Sequence, residues 1–267
     1  MEPALIVSLT WLLFGLSHIG LATVGIRGRL VARLGEHGFV FLFSGVATVL
    51  FTILVTSYAA LRFEGLPGPA LGNSPLLRPI LIGFVVIGVV LMTATFAGYD
   101  RSPYAAIGRS FPEPRGLERI TRHTFFAGLV LFSVAHALLA TRLVGTVFLA
   151  GNAVLAVLGA WHQDRKLAAR FGPPFADYLR ATSAVPFVAI VSRRQRLVWS
   201  ELPYRALAVG LVLAFVFRAI HDQIFAYGGL AFVGVTLLGL GVLLAATLRR
   251  GSAGTRTSRA PVFPARA

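Results

Sequence analysis

The sequence predicts an all-α polytopic integral membrane helix bundle of about seven spans, six being the lower count, with amphipathic helices in the cytoplasmic loops. Three observations predict it. Of 267 residues, 56% are hydrophobic and 13% charged, with a mean hydropathy of +0.78; an ordinary soluble domain carries about 25% charged residues. Apolar blocks long enough to cross a bilayer recur from end to end. The basic residues, which set a net charge of +15, fall between those blocks in alternate loops. Together these exclude a cytosolic globule and intrinsic disorder. The absence of cysteine excludes disulfides, thiolate-ligated haem, iron–sulfur clusters and zinc sites built on sulfur. A pI near 11.6 also fits nucleic-acid binding. Arginines interleaved with apolar blocks, however, read as orientation signals, so the bilayer and not nucleic acid is the expected partner.

A membrane-crossing helix needs about 20 mainly apolar residues. Seven blocks qualify: about 4–24, 39–60, 76–98, 124–142, 143–161, 203–225 and 228–248. The first lacks a basic n-region and an A-x-A cleavage site, so it reads as a retained span and not a signal peptide. Only Arg142 and its neighbours separate the fourth from the fifth, which predicts a tight hairpin. After the fifth block comes a long loop, His162 to Leu202. Within Gln163–Ala181, the apolar Leu167, Phe171, Phe175, Tyr178 and Leu179 alternate with basic residues around Pro173 and Pro174. That pattern predicts two short amphipathic helices on the inner leaflet. Ala184–Val191 is apolar but too short to span, and is expected to dip into the interface. Gly251–Ala267 is rich in Gly, Ser, Thr, Arg and Pro and is expected to be a disordered basic tail.

Of the 25 basic residues, 21 lie in loops one, three and five or in the tail; only Arg62, Arg78, Arg142 and Arg218 fall elsewhere. Loop three alone holds Arg101, Arg109, Arg115, Arg119 and Arg122, and the tail side holds Arg249, Arg250, Arg256, Arg259 and Arg266. This bias predicts an inner or plasma membrane protein with its N-terminus outside and its C-terminus in the cytoplasm.

Ionisable residues inside a membrane are costly unless they pair, face a cavity or bind something, so they point to function. His18 lies in the first block and His136 in the fourth, His123 and His162 at cytoplasmic span ends, and His221 near an outer end. His123 and His136 are about 20 Å apart along one helix and cannot share a metal. His18 is about 9 Å, and His136 about 18 Å, from the cytoplasmic ends of their blocks, so their depths can meet near the middle of the bilayer. Gly15 and Ala22 flank His18 at i−3 and i+4, and Ser133 and Ala140 flank His136 in the same way. Such small neighbours leave clearance for a flat macrocycle ligated by imidazole. They equally permit close helix packing with histidines hydrogen-bonded across helices. Spacing leaves both open. His221 beside Asp222 reads as an interfacial ion pair, and Asn152 as interhelical glue.

Several stretches resemble the NnrU family, and within it the 15-cis-zeta-carotene isomerase branch. They are Ser17-His18-Ile19-Gly20-Leu21-Ala22, Arg119-Ile120-Thr121-Arg122-His123, Ala135-His136, Gly159-Ala160-Trp161 with Asp164-Arg165, and TSAVPFVAI from Thr182 to Ile190. The match covers roughly residues 10–205, and Leu202-Pro203-Tyr204 extends it. The resemblance implies a membrane protein that binds haem b through histidines and isomerises a cis double bond of a linear carotene, with a link of the wider family to nitric-oxide metabolism. It implies His18 and His136 as the axial pair and a supporting role for His123. Thr124 stands where the family has proline, and His162-Gln163 also departs from its pattern. Residues 1–202 are then the NnrU-like membrane domain, 203–250 a C-terminal helical hairpin and 251–267 the tail.

No nucleophile–histidine–acid arrangement, phosphate loop or paired intramembrane carboxylate stands out in the spans, which argues against a hydrolase or kinase. Isomerisation in an apolar slot, on a substrate delivered from lipid, needs none of these. Two other classes stay open. Arg122-His123, Asp164-Arg165, Phe171-Gly172, Tyr178 and Pro186 also resemble the cofactor half of membrane methyltransferases that modify isoprenylcysteine or phospholipids. There an arginine fork would hold the carboxylate of S-adenosylmethionine. The third class is a non-catalytic haem-sensing or transport protein.

Overall fold

The computed structural model of the chain describes residues 1–98, 113–239 and 241. Regular structure among them is helical, apart from one isolated bridge between Pro67 and Arg142. Helix α1 (Pro3–Ala22) opens with a proline in its first turn, where the missing N–H costs nothing. It stops at Thr23, whose extended backbone turns the chain into α2 (Val24–Leu61). Gly35, at φ 72°, divides α2 into a basic segment carrying Arg27, Arg29 and Arg33 and an apolar one beyond it. Loop one is therefore helical.

Helix α3 (Leu77–Ala94) continues as a 3₁₀ turn to Gly98. The single turn α4 (Leu117–Ile120) leads to α5 (Thr124–Leu139) and α6 (Leu143–Phe171). The last elements are α7 (Pro173–Ala181), the one-turn α8 (Val188–Val191), α9 (Tyr204–Ala219) and the apolar α10 (Leu230–Gly239).

Among the described residues, four helices are long and apolar enough to cross a membrane: α1, α2, α3 with its extension to Ala97, and α6. Helices α5 and α9 have 16 residues each, about 24 Å against the roughly 30 Å of a bilayer core. The block expected to end at 161 instead runs unbroken to Phe171, because no residue breaks the helix before Gly172 at φ 62°. Residues 163–171 thus extend α6 and form no separate helix. The block expected over 203–225 ends at Ala219, followed by a 3₁₀ turn at His221–Gln223. Arg101, Arg109, the basic residues from Arg249 onward, residues 242–248 of the last expected span and the tail 251–267 lie outside the described residues.

The tight hairpin is present. Ala140–Arg142 joins α5 to α6 and is pinned by hydrogen bonds from Gly68 and Ala70 to the carbonyls of Thr141 and Ala140, and from Leu143 to that of Leu66. At this end Glu2 also accepts from the Leu66 amide. The opposite end gathers Ala22, His162, Arg122 and Ser183, and it is rich in arginine.

Laterally the helices pack in the order α9, α3, α5, α6, α1, α2. Small residues set the closest crossing. A Cβ on Gly88 of α3 would lie 2.7 Å from the Gly128 carbonyl of α5, and one on Gly128 2.8 Å from the Gly88 carbonyl. Backbones approach this closely only where both helices lack side chains. The principal core joins Val7, Trp11 and Phe14 of α1, Leu54 and Val55 of α2, Val144 and Phe148 of α6, and Val233 of α10. Trp11 donates its indole N–H to the Phe148 carbonyl at 3.0 Å, so this buried polar group is satisfied. Leu9, Leu13, Phe41, Val49 and many other large apolar side chains stay exposed, as an apolar surround permits.

Candidate functional site

Two groups of polar residues stand out, one at the Arg-rich end and one at the other end. The first is built on the segment before α5. Arg122 donates from Nε (3.0 Å) and Nη2 (2.7 Å) to Asp164 Oδ2 on α6, while His123 Nε2 lies 3.0 Å from Asp164 Oδ1. Asp164 is thus shared by two bases; His123 is buried and both members of the ion pair are 14% exposed. Thr121 donates to the Ala184 carbonyl, the Arg122 amide to that of Ser183 and the Phe187 amide to that of Ile120. Residues 119–123 and 182–190 are therefore one stitched unit. Arg165 is not part of it and stacks on Trp161 at 4.7 Å.

This unit is clamped by residues that the sequence did not single out. Glu201 accepts from Arg119 Nε at 2.8 Å, Arg119 Nη2 at 3.1 Å and the Gly116 amide at 2.9 Å, and Gln195 accepts from Arg119 Nη1. More than 75 residues separate the partners, so no local pattern announces the contact. The Arg119 hydrogen bonds, then the Gly116 amide, hold the Glu201 carboxyl down at about 2 from its ordinary 4.5. Because the folded value is depressed, the clamp is at full strength above pH 4.5 and weakens as pH falls towards 2. We expect the Gly116 amide to lose protection, measured against its intrinsic exchange rate at each pH, over that interval, and Glu201→Gln to show the lower protection already at pH 7. A protection factor that does not change with pH would contradict it.

The histidines of the spans sit apart. His18 lies between Phe14 (5.2 Å) and Phe43 (4.9 Å), with a buried Nδ1 that has no hydrogen-bond partner among the described residues. It is four residues, about 6 Å, from the Arg-rich end of α1. His136 is three residues, about 4.5 Å, from the opposite end of α5. Helix α1 packs on α2 and α6, and α5 on α3 and α6. The expected axial pair of His18 and His136 is therefore not brought together: the two stand at opposite ends, on different sides of α6. His136, twelve residues from the start of α5, keeps the expected 18 Å from the Arg-rich end, whereas His18 is nearer that end than the expected 9 Å because α1 stops at Ala22.

The small neighbours divide too. A Cβ at Gly15 would meet nothing within 4 Å, so there is open space beside that turn of α1. Ala22, at the end of α1, presents its carbonyl to His162 Nε2 at 3.2 Å. Ser133 is fully buried, and its hydroxyl has no partner among the described residues. Ala140 caps α5 and belongs to the hairpin link. Asn152 bonds back to Phe148 of its own helix and is not interhelical glue.

His136 instead meets His221, which follows α9. The two rings are 6.4 Å apart between centres and 6° from parallel. The Phe132 ring lies tilted by 46° against His136 at 4.3 Å, and its carbonyl oxygen lies 3.1 Å from His136 Nδ1. A carbonyl only accepts, so Nδ1 carries the proton and the Nε2 lone pair is left for a ligand. Among the described residues, no group of three or more His, Cys, Asp or Glu could hold a metal ion on its own. A pair of imidazoles fits a metal whose other ligands are supplied by a macrocycle. The Arg122 fork faces Asp164, not an open pocket, so the arrangement expected for S-adenosylmethionine has its principal donor engaged.

Comparison with known proteins adds the following. The family model described as NnrU protein matches residues 6–228. The chain is 28% identical over 223 residues to a protein of Arabidopsis thaliana named 15-cis-zeta-carotene isomerase, chloroplastic, covering 80% of this chain and 59% of that one. It is 26% identical over 213 residues to the protein of the same name from Zea mays, covering 76% and 57%. The chain thus spans under three fifths of these relatives. No solved structure matches.

Proposed function

This chain belongs to the NnrU family, and from that membership we propose that it is a haem b-binding membrane enzyme that isomerises a cis double bond of an apolar polyene. The observation that carries the reading is the similarity, over most of the chain, to two proteins named as isomerases of such a molecule. The residues suit the cofactor: His136 has a fixed tautomer with Nε2 available, in an aromatic, cysteine-free setting. Haem, when bound, supplies an iron that can engage a polyene and lower its double-bond order for the time a rotation takes. The protein does the rest. His136 holds and orients the group. The apolar walls of α3, α5 and α6 exclude water and accept a hydrocarbon from lipid. The Arg122–Asp164–His123 network fixes the inner end of α5 to α6, so that the helix carrying His136 keeps its depth and rotation. His123 acts in support.

Detergent-purified protein should carry a Soret band, and His136→Ala should lose at least nine tenths of it at unchanged protein yield. Cells that accumulate a 15-cis polyene should convert it when they express the wild type. Colourless wild-type protein from haem-replete cells would refute the cofactor.

The same reading includes seven passes with the N-terminus outside and the Arg-rich end in the cytoplasm. Because the chain has no cysteine, single cysteines test this directly. One at the exposed Glu64 should react with an impermeant maleimide from outside, and one at Ser192 only after permeabilisation. The opposite labelling would invert the topology.

A further inference from the structure

We propose that the loop after α7 carries a binding site for the phosphodiester of an anionic phospholipid, with Arg193 and Arg196 as its two cations. The site is separate from the histidines and needs no haem; it rests only on the chain lying in a bilayer.

Three arginines stand within four residues here, and the fold treats them differently. Arg194 turns inward. Its Nη1 donates to the carbonyls of Arg180 (2.6 Å) and Thr182 (2.7 Å), and its Nε to Ser192 Oγ (2.9 Å). The amides of Arg194 and Gln195 both donate to the Ala189 carbonyl, which folds the chain back on the one-turn helix α8. Gln195 is held as well, giving Nε2 to the Ala181 carbonyl and accepting from Arg119. Arg193 sits at φ 58°, the left-handed conformation that makes this reversal possible.

The side chains of Arg193 and Arg196 are exposed and, among the described residues, have no hydrogen bond or ion pair. Asp164, Asp177 and Glu201 at this end are already engaged by Arg122, Arg180 and Arg119. Arg193 and Arg196 line one cleft of about 380 Å³ together with Ile190, Gln195 and Leu197. A firmly tied floor with two uncommitted guanidiniums suits a phosphodiester, whose paired oxygens match the fork of donors.

The surroundings select a lipid among the molecules that carry this group. Val185, Phe187, Val188 and Val191 of the same loop are exposed, Val191 by 81%, and Trp199 is 66% exposed just beyond the cleft. The loop is fixed to the start of α5, through the Phe187 amide on the Ile120 carbonyl and Thr121 on that of Ala184. It is therefore held where the spans end. Apolar side chains, a tryptophan and arginines side by side match the headgroup level, with aliphatic groups in the acyl chains and guanidiniums on phosphate. A soluble phosphate or an acidic peptide would leave those apolar side chains in water. Phosphatidylcholine has the same phosphodiester but offsets it with its own cation, so a lipid of net negative charge is preferred.

The chain has no cysteine, so a single Val191→Cys can carry a bimane dye next to Ile190 of the cleft. In the full-length protein in neutral detergent, phosphatidylglycerol brominated on its acyl chains should quench the dye saturably, and at lower concentration than brominated phosphatidylcholine. Arg193→Gln/Arg196→Gln in the same background should raise the half-saturating phosphatidylglycerol concentration about 25-fold, about fivefold for each arginine. Quenching by phosphatidylcholine should stay as it was. Arg29→Gln/Arg33→Gln, on the basic segment of α2, should leave both lipids unaffected. Equal losses in the two double variants would mean diffuse attraction to the whole basic end, and equal quenching by the two lipids a surface with no headgroup preference; either overturns the site. Competition by inorganic phosphate at the lipid's own concentration would make it a site for a soluble anion and overturn the lipid. None of these results bears on the haem, which the Soret band reads separately.

Discussion

Replacing Asp164 with alanine should destabilise the Arg-rich end more than any other single side-chain deletion there, by about 3 kcal/mol. The physical reason is asymmetric. Asp164 receives two hydrogen bonds from Arg122 and one contact from His123, whose side chain is 3% exposed. Removing it leaves a guanidinium and an imidazole without their acceptor, and breaking a buried pair from one side costs about 3–5 kcal/mol. The lower figure applies because Arg122 keeps 14% exposure. The Arg122→Ala/Asp164→Ala double variant should recover part of the loss, since neither charge is then stranded. Asp164→Asn, which keeps the shape and loses the charge, should fall between. Thermal unfolding in detergent reads all three. A double variant as unstable as the sum of the singles would mean that the residues act independently, and the shared-acceptor account would be abandoned.

Gly88→Val and Gly128→Val should be still more damaging. A Cβ at Gly88 would stand 2.7 Å from the Gly128 carbonyl, 2.7 Å from Phe132 Cβ and 2.8 Å from the Phe132 amide. A Cβ at Gly128 would stand 2.8 Å from the Gly88 carbonyl and 3.0 Å from the Met92 amide. The obstructing atoms are mainly backbone, which cannot rotate away, so α3 and α5 must separate. Overpacking of this kind costs about 1–3 kcal/mol for one methyl and more for a branched side chain. The consequence reaches the site, because Phe132 supplies the carbonyl behind His136. Gly88→Ala is therefore expected to lower the melting temperature and, on the proposed haem reading, the Soret absorbance. Gly15→Ala, where a Cβ meets nothing within 4 Å, should leave the melting temperature unchanged. Equal tolerance at Gly88 and Gly15 would show that α3 and α5 do not cross where the two glycines meet.

Along α1 and α3 the chain was legible. Block one was expected at about 4–24 and is helical over Pro3–Ala22; block three was expected at 76–98 and is helical over Leu77–Ala94 with a 3₁₀ extension to Gly98. The hairpin at Arg142 and the break at Gly172-Pro173 were equally readable, because glycine, proline and a polar interruption act on the backbone where they stand. The same is true of Arg122 and Asp164. Each was marked by residue type, although nothing in the spacing said that they would share hydrogen bonds. Glu201 carried no mark, since its partner Arg119 is brought to it by the loop between them.

The sequence by itself determined that the chain is helical and suits a membrane, and which side chains are chemically costly there. Only the tertiary structure decided who meets whom: α6 between α1 and α5, His18 among phenylalanines near one end, and His136 facing His221 near the other. The reason lies in the solvent. In water a helix announces its buried face by the contrast between apolar and polar residues. In a bilayer the lipid-facing side is as apolar as the protein-facing side, so hydropathy fixes depth along the membrane normal and says little about rotation or neighbours. Those depend on where backbones can touch, as at Gly88 and Gly128, and on which polar atoms find partners across the bundle.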